Sequence, residues 1–100
     1  MSEHAAYSPL PVVLVVEDDI FERMFKAATL RRQGFEVFEA ADVAEAVTVL
    51  KKIAVDLLIS DIRLIDGAML AQLAKEHQPT TQLVWTLEGR QNSVGTAALH

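Results

Sequence analysis

Two apolar runs of this chain end in acid. Val12-Val13-Leu14-Val15-Val16 stops at Glu17-Asp18-Asp19, and Asp56-Leu57-Leu58-Ile59-Ser60 stops at Asp61. Carboxylates gathered at one place bind a hard divalent cation, and a carboxylate beside such a cation can act as a nucleophile. A third run, Leu83-Val84-Trp85, ends in Thr86, whose hydroxyl is a donor for an oxyanion held over Asp61. Asp61 is the hardest of these to explain as ordinary structure. A carboxylate directly after a buried strand, with no basic neighbour before Arg63, is costly unless it is solvated, paired or metal-bound.

The elements that would position these residues follow from the spacing of apolar side chains. A short continuous apolar run reads as a parallel strand buried on both faces, and its first residue past the carboxyl end enters a crevice. Val12–Val16, the stretch 56–61 and 81–86 are such strands, while Phe35–Glu39, aromatic and interrupted by charge, reads as a strand at a sheet edge. If the first and third strands are neighbours, Glu17, Asp18 and Asp61 converge. Like charges that close repel unless a cation stands between them, and Mg²⁺ suits because it prefers carboxylate oxygens while keeping several waters.

Helices fill the intervals. Asp19-Ile20-Phe21-Glu22 has a capping-box pattern, with Asp19 as cap and Glu22 reaching back, and Asp42-Val43-Ala44-Glu45 repeats it. In the first helix Ile20, Phe21, Met24, Phe25 and Ala28 recur at helical spacing as one apolar face, and Arg23, Lys26, Arg31 and Arg32 read as a solvated face. Gly34 supplies the stop. Val43, Ala46, Val47 and Leu50 mark the second helix; Asp66 caps a third, whose apolar face is Leu70, Leu73 and Ala74, running to about His77 before Pro79. The order βαβαβαβ with short connections predicts right-handed crossovers and a parallel sheet covered on both faces.

One hundred residues make a single domain at most. We assign residues 1–9 to a flexible leader, 10–89 to the domain and 90–100 to a tail with at most one short helix. A net charge of −5 disfavours direct nucleic-acid binding. The apolar runs are too short to span a bilayer, and no secretory signal is visible. With no cysteine there is no disulfide framework, which suits the cytoplasm. His4, His77 and His100 lie apart in sequence, so a histidine metal site is not expected.

Taken jointly and in order, Val12–Val16 with Glu17-Asp18-Asp19, the stretch 56–64 around Asp61, Asp66-Gly67, and Leu83-Val84-Trp85-Thr86 resemble the receiver domain of bacterial two-component response regulators, a flavodoxin-like fold. The resemblance covers roughly residues 10–89. It implies that Asp61 accepts a phosphoryl group from a histidine kinase or phosphotransfer protein. It further implies that Glu17, Asp18, Asp61 and the backbone carbonyl of Arg63 hold Mg²⁺, and that Thr86 is the switch hydroxyl. Such a protein is not an enzyme beyond its own phosphorylation.

Measured against that resemblance, the connection between Asp61 and Asp66-Gly67 is about two residues short. No lysine follows Lys75, where the family carries one on a fifth strand. The reading is thus an incomplete doubly wound sheet of four strands and three helices, without the fifth strand and last helix. An edge left open at the fourth strand predicts a homodimer or higher oligomer through that strand, the tail, or both. Two functions stand at this point: a single-domain phosphorelay receiver, and a degenerate receiver that works as a phosphorylation-independent interaction or dimerisation module. A metal-dependent phosphatase fits less well, because Arg63 stands where such hydrolases carry a second acid.

Overall fold

The computed structural model describes residues 10–61 and 67–86. In chain order these form β1 (Val12–Val16), α1 (Ile20–Arg32), β2 (Glu36–Ala40), α2 (Val43–Lys52), β3 (Leu57–Asp61), α3 (Gly67–His77) and β4 (Gln82–Thr86). All strand pairs are parallel, and the sheet order is β2-β1-β3-β4. This is the expected α/β doubly wound architecture, with β1 and β3 neighbours and β2 at an edge. Strand boundaries shift by no more than one residue from the reading of the sequence. The leader over residues 1–9, the tail over 90–100 and the Asp66 cap lie outside the described residues. No helix among the described residues is long and apolar enough to cross a membrane.

Strand alternation sorts the core into two layers. On one face Val13 and Val15 pack with Ala27 of α1 and Val37 of β2, flanked by Leu30, Leu57 and Ile59. On the other, Leu14, Val16, Leu58 and Leu83 pack with Ala46 and Leu50 of α2 and Leu70 and Ala74 of α3. β1 is the axis of both layers: Val13, Leu14 and Val15 are each 0% exposed.

The first helix faces the other way from the sequence expectation. Ile20, Phe21, Met24 and Phe25 are exposed, Phe21 to 78%, whereas the only buried residue of α1 is Ala27. The inward stripe is Arg23, Lys26, Ala27 and Leu30, also at helical spacing. A small residue at Ala27 lets the helix axis approach the valines of β1 and β2, and the flanking cations reach past the core to acids at the sheet's end. Both stripes satisfy the same periodicity, so spacing alone does not select between them.

Helix ends follow local hydrogen bonding. Asp19 Oδ1 accepts from the amides of Phe21 at 2.9 Å and Glu22 at 3.0 Å, as expected of a cap. The reciprocal contact differs: the Asp19 amide donates to Glu17 Oε2 at 3.2 Å, so the acid that reaches back comes from the end of β1, not from Glu22. At α2, Asp42 Oδ1 accepts from the Glu45 amide at 2.9 Å, and Glu45 Oε1 accepts from Ala41, one residue before the cap, at 2.7 Å. Gly34 ends α1 with φ +99°, a conformation that side chains with a Cβ resist.

At the foot of the sheet one amide ties three elements. Gln78 Nε2 donates to the carbonyls of Leu50 at 2.7 Å and Ile53 at 2.6 Å, and its Oε1 accepts from the Val55 amide at 2.8 Å. Those backbone groups belong to the last turn of α2 and its link to β3, and have few other routes to satisfaction away from water. Gln78→Ala is expected to lower unfolding free energy by about 2–3 kcal/mol, because it strands several partly buried groups. Phe21→Ser, which removes a ring from solvent, is expected to change it by no more than about 0.5 kcal/mol. Urea denaturation of the two variants checks the contrast, and a large loss in Phe21→Ser would contradict the orientation of α1.

Candidate functional site

The site is set by the register of three parallel strands. Val16 of β1 is level with Ser60 of β3, and Ser60 with Trp85 of β4; Asp61 is the partner of Thr86. One step further along each strand therefore brings Glu17, Asp61 and Thr86 to the same end of the sheet. Period-two alternation also puts them on one face. Val15, Ile59 and Val84 precede them by two residues, and Val15 and Ile59 belong to the layer beneath α1. Glu17 is 2% exposed and Asp61 3%. Asp18, turned out of the strand, is exposed.

Glu17 is held on every side. Its amide donates to the Ala40 carbonyl at 3.0 Å, and its own carbonyl accepts from Arg23 Nη1 at 2.8 Å. Its carboxylate accepts from Lys26 Nζ at 2.9 Å through Oε1 and from the Asp19 amide at 3.2 Å through Oε2. Burial of a carboxylate demands such partners, and an ammonium at this distance supplies the opposite charge as well as a hydrogen bond. Arg23 also pairs with Glu39 at 3.7 Å, and Arg31 reaches Glu39 at 3.2 Å and the Val37 carbonyl at 2.9 Å.

The solvated face assigned to Arg23, Lys26 and Arg31 is therefore corrected. These side chains bridge α1 to β1 and β2, Arg31 while remaining half exposed, and Arg32 stays exposed. Lys26 is the residue that the sequence reading missed. Its signal was available: Lys26 and Arg23 share a stripe with Ala27 and Leu30, and an acid-ended strand precedes the helix.

Thr86 lies in an apolar groove with Phe25, Lys26, Thr29 and Leu30 of α1 and Ile59 of β3. Its hydroxyl donates to the Ser60 carbonyl at 3.5 Å, a long and readily exchanged bond. On the opposite face the Trp85 ring sits over Gly67 at the start of α3, where an added Cβ would come within 3.4 Å of the ring. The end of β4 thus touches both the acidic face and the helix that follows the Asp61 loop.

Arg63 lies outside the described residues, as does the rest of the loop after Asp61. Among the described residues no three histidine, cysteine, aspartate or glutamate side chains are grouped so as to hold a metal ion. Both Glu17 oxygens are engaged by protein donors in this arrangement, Oε1 by Lys26 and Oε2 by the Asp19 amide.

Comparison with known proteins matches residues 13–99 to the response regulator receiver domain. The aerobic respiration control protein ArcA of Escherichia coli strain K12 is 36% identical over 86 residues, covering 84% of this chain and 35% of that protein. The chain thus spans about a third of the curated relative's length. Among solved structures, the receiver domain of the hybrid histidine kinase CckA is 38% identical with a TM-score of 0.68, covering 74% of this chain and 72% of that one. The chemotaxis protein CheY4 of Vibrio cholerae is 26% identical with a TM-score of 0.72, covering 90% and 80%.

Ser60 carries the one buried side-chain oxygen with no hydrogen-bond partner among the described residues. It is 1% exposed and stands between Val16 and Trp85 in the register. A buried hydroxyl without a partner costs on the order of 1–3 kcal/mol. Ser60→Ala is expected to raise the melting temperature by several degrees, and calorimetry showing a clear fall would mean that the hydroxyl has a partner.

Proposed function

Because this chain belongs to the receiver domain family of two-component response regulators, we propose that it accepts a phosphoryl group on Asp61. One observation carries the proposal: Asp61 is a buried carboxylate at the carboxyl end of a central parallel strand, level with Glu17 on one side and paired with Thr86 on the other. That is the rim where open α/β sheets bind ligands. In the proposed reaction a carboxylate oxygen of Asp61 bonds to phosphorus as the bond from phosphorus to the donor breaks, and the electron pair leaves with the donor. The donor is a phosphohistidine of a kinase or phosphotransfer protein, or a small acyl phosphate.

Thr86 is the residue proposed to read the product. Its hydroxyl exchanges the long bond to the Ser60 carbonyl for one to a phosphoryl oxygen, which is the stronger acceptor. The shift would be transmitted through Trp85, next in chain, to Gly67 and α3. Mg²⁺ dependence belongs to the same proposal, with Glu17, Asp18, Asp61 and the Arg63 carbonyl as ligands. It requires that Glu17 first be freed from Lys26. The protein has no activity in this reading beyond its own phosphorylation, acts in the cytoplasm and binds no nucleic acid directly.

The alternative, a phosphorylation-independent interaction module, is favoured by one observation: Glu17 is already neutralised internally by Lys26. Self-association is part of either reading. β4 is the last strand of the described sheet, and a strand in that place can pair with a further chain, through the strand itself or the segment after it.

Incubation with acetyl phosphate and Mg²⁺, followed by intact mass, is expected to give a single hydroxylamine-labile phosphate adduct that Asp61→Asn abolishes. Absence of an adduct with every donor would remove the phosphoacceptor reading in favour of the module. Light scattering at micromolar concentration is expected to give at least twice the monomer mass, and a clean monomer would end the oligomer proposal.

A further inference from the structure

We infer that Lys26 is a built-in counter-cation that competes with divalent ions for Glu17, so that the acidic site is charge-compensated without metal and takes up metal only by displacing a lysine. The inference deepens the site reading above and concerns its regulation. It starts from a disagreement: the acids call for a divalent ion, yet no group of described side chains is arranged to hold one.

The geometry explains why. Lys26 Nζ is 2.9 Å from Glu17 Oε1, and the pair is unequal in environment, with the lysine side chain 25% exposed and the glutamate 3%. A surface pair of that kind would add little. Here the carboxylate cannot turn to water instead, because its other oxygen caps the Asp19 amide and its backbone is fixed to Ala40 and Arg23. Removing the cation leaves a buried charge that needs another.

Lys26 is held by fewer contacts than the glutamate, its ammonium making the single 2.9 Å bond to Glu17 from a side chain 25% exposed. It lines the apolar groove shared with Thr86, Ile59 and Leu30, and its flexible four-carbon stem gives the ammonium other positions within reach. Arg23 and Arg31 do not share this freedom. Each is held by a backbone carbonyl as well as by Glu39, which anchors α1 whether or not Lys26 stays on Glu17. The helix therefore keeps its place while one of the three cations that tie it to the strands can exchange.

A competitor and a structural clamp predict opposite signs for the same substitution. If Lys26 only braces the site, its removal loosens Glu17 and weakens metal binding. If it competes, its removal tightens binding. In isothermal titration of the full chain with MgCl₂, Lys26→Gln is expected to bind Mg²⁺ about tenfold more tightly than the parent, from loss of one nearby positive charge. Lys26→Arg is expected to resemble the parent, and Lys26→Gln combined with Glu17→Gln to lose the gain. Melting in EDTA is expected to show Lys26→Gln destabilised and Mg²⁺ restoring it towards the parent.

Lys26→Met, which keeps the stem but not the charge, serves if the glutamine variant fails to fold. Equal or weaker Mg²⁺ binding in the charge-removed variants, or a gain that survives Glu17→Gln, would overturn the inference. The phosphoacceptor reading fails separately. Tightened Mg²⁺ binding with no adduct on Asp61 removes that reading and leaves this one, and an adduct without tightening does the reverse.

Discussion

Everything at the acidic end of this molecule depends on the parallel pairing of β1 with β3. Parallel strands in register deliver equivalent residues to one level, and strict alternation delivers them to one face. Because Val16 is opposite Ser60, the two residues that follow, Glu17 and Asp61, are brought together by backbone hydrogen bonding and not by any affinity of their own. Two buried carboxylates would not choose to be neighbours. The sheet imposes the arrangement, and the apolar contacts of Val13, Leu14, Val15 and Leu58 stabilise it.

That imposition explains the inverted first helix. A helix with aromatic residues on one stripe and Arg23, Lys26, Ala27 and Leu30 on another would ordinarily bury the aromatics. Here the inward stripe must also answer the charge gathered at the strand ends, and only the cationic stripe can. Ala27 and Leu30 make an adequate apolar contact with Val13, Val15 and Val37, while Lys26 and Arg23 reach Glu17. The large apolar side chains left outside are the counterpart of that choice, and an exposed stripe of this size favours association with another surface.

The sheet was readable in the sequence because its strands are short, continuous and apolar, a pattern with few competing interpretations once acids and capping residues punctuate it. Thr86 and Asp61 were readable for the same reason: each is the first polar residue after such a run. The orientation of α1 was not, since two stripes of equal period compete and the tie is broken by Glu17, a residue outside the helix. Capping details failed similarly. Glu22 matches the capping-box position, but Glu17 at the end of β1 is delivered by tertiary structure to the amide that Glu22 would have reached. What local pattern leaves open, partners distant in sequence decide.

Charge compensation at Glu17 ties the two readings of function together. A buried carboxylate pair at a sheet end is unstable without positive charge, whichever source supplies it. A site that relied wholly on a free ion would be poorly ordered in its absence, whereas one with its own lysine folds intact and holds its acids in place. The same lysine reduces the attraction for a divalent ion. Pre-assembly and metal affinity are therefore opposed here, and the balance lies in a single 2.9 Å contact between α1 and the end of β1. The two proposed functions, receiver and interaction module, differ in whether Lys26 or an external cation would occupy Glu17.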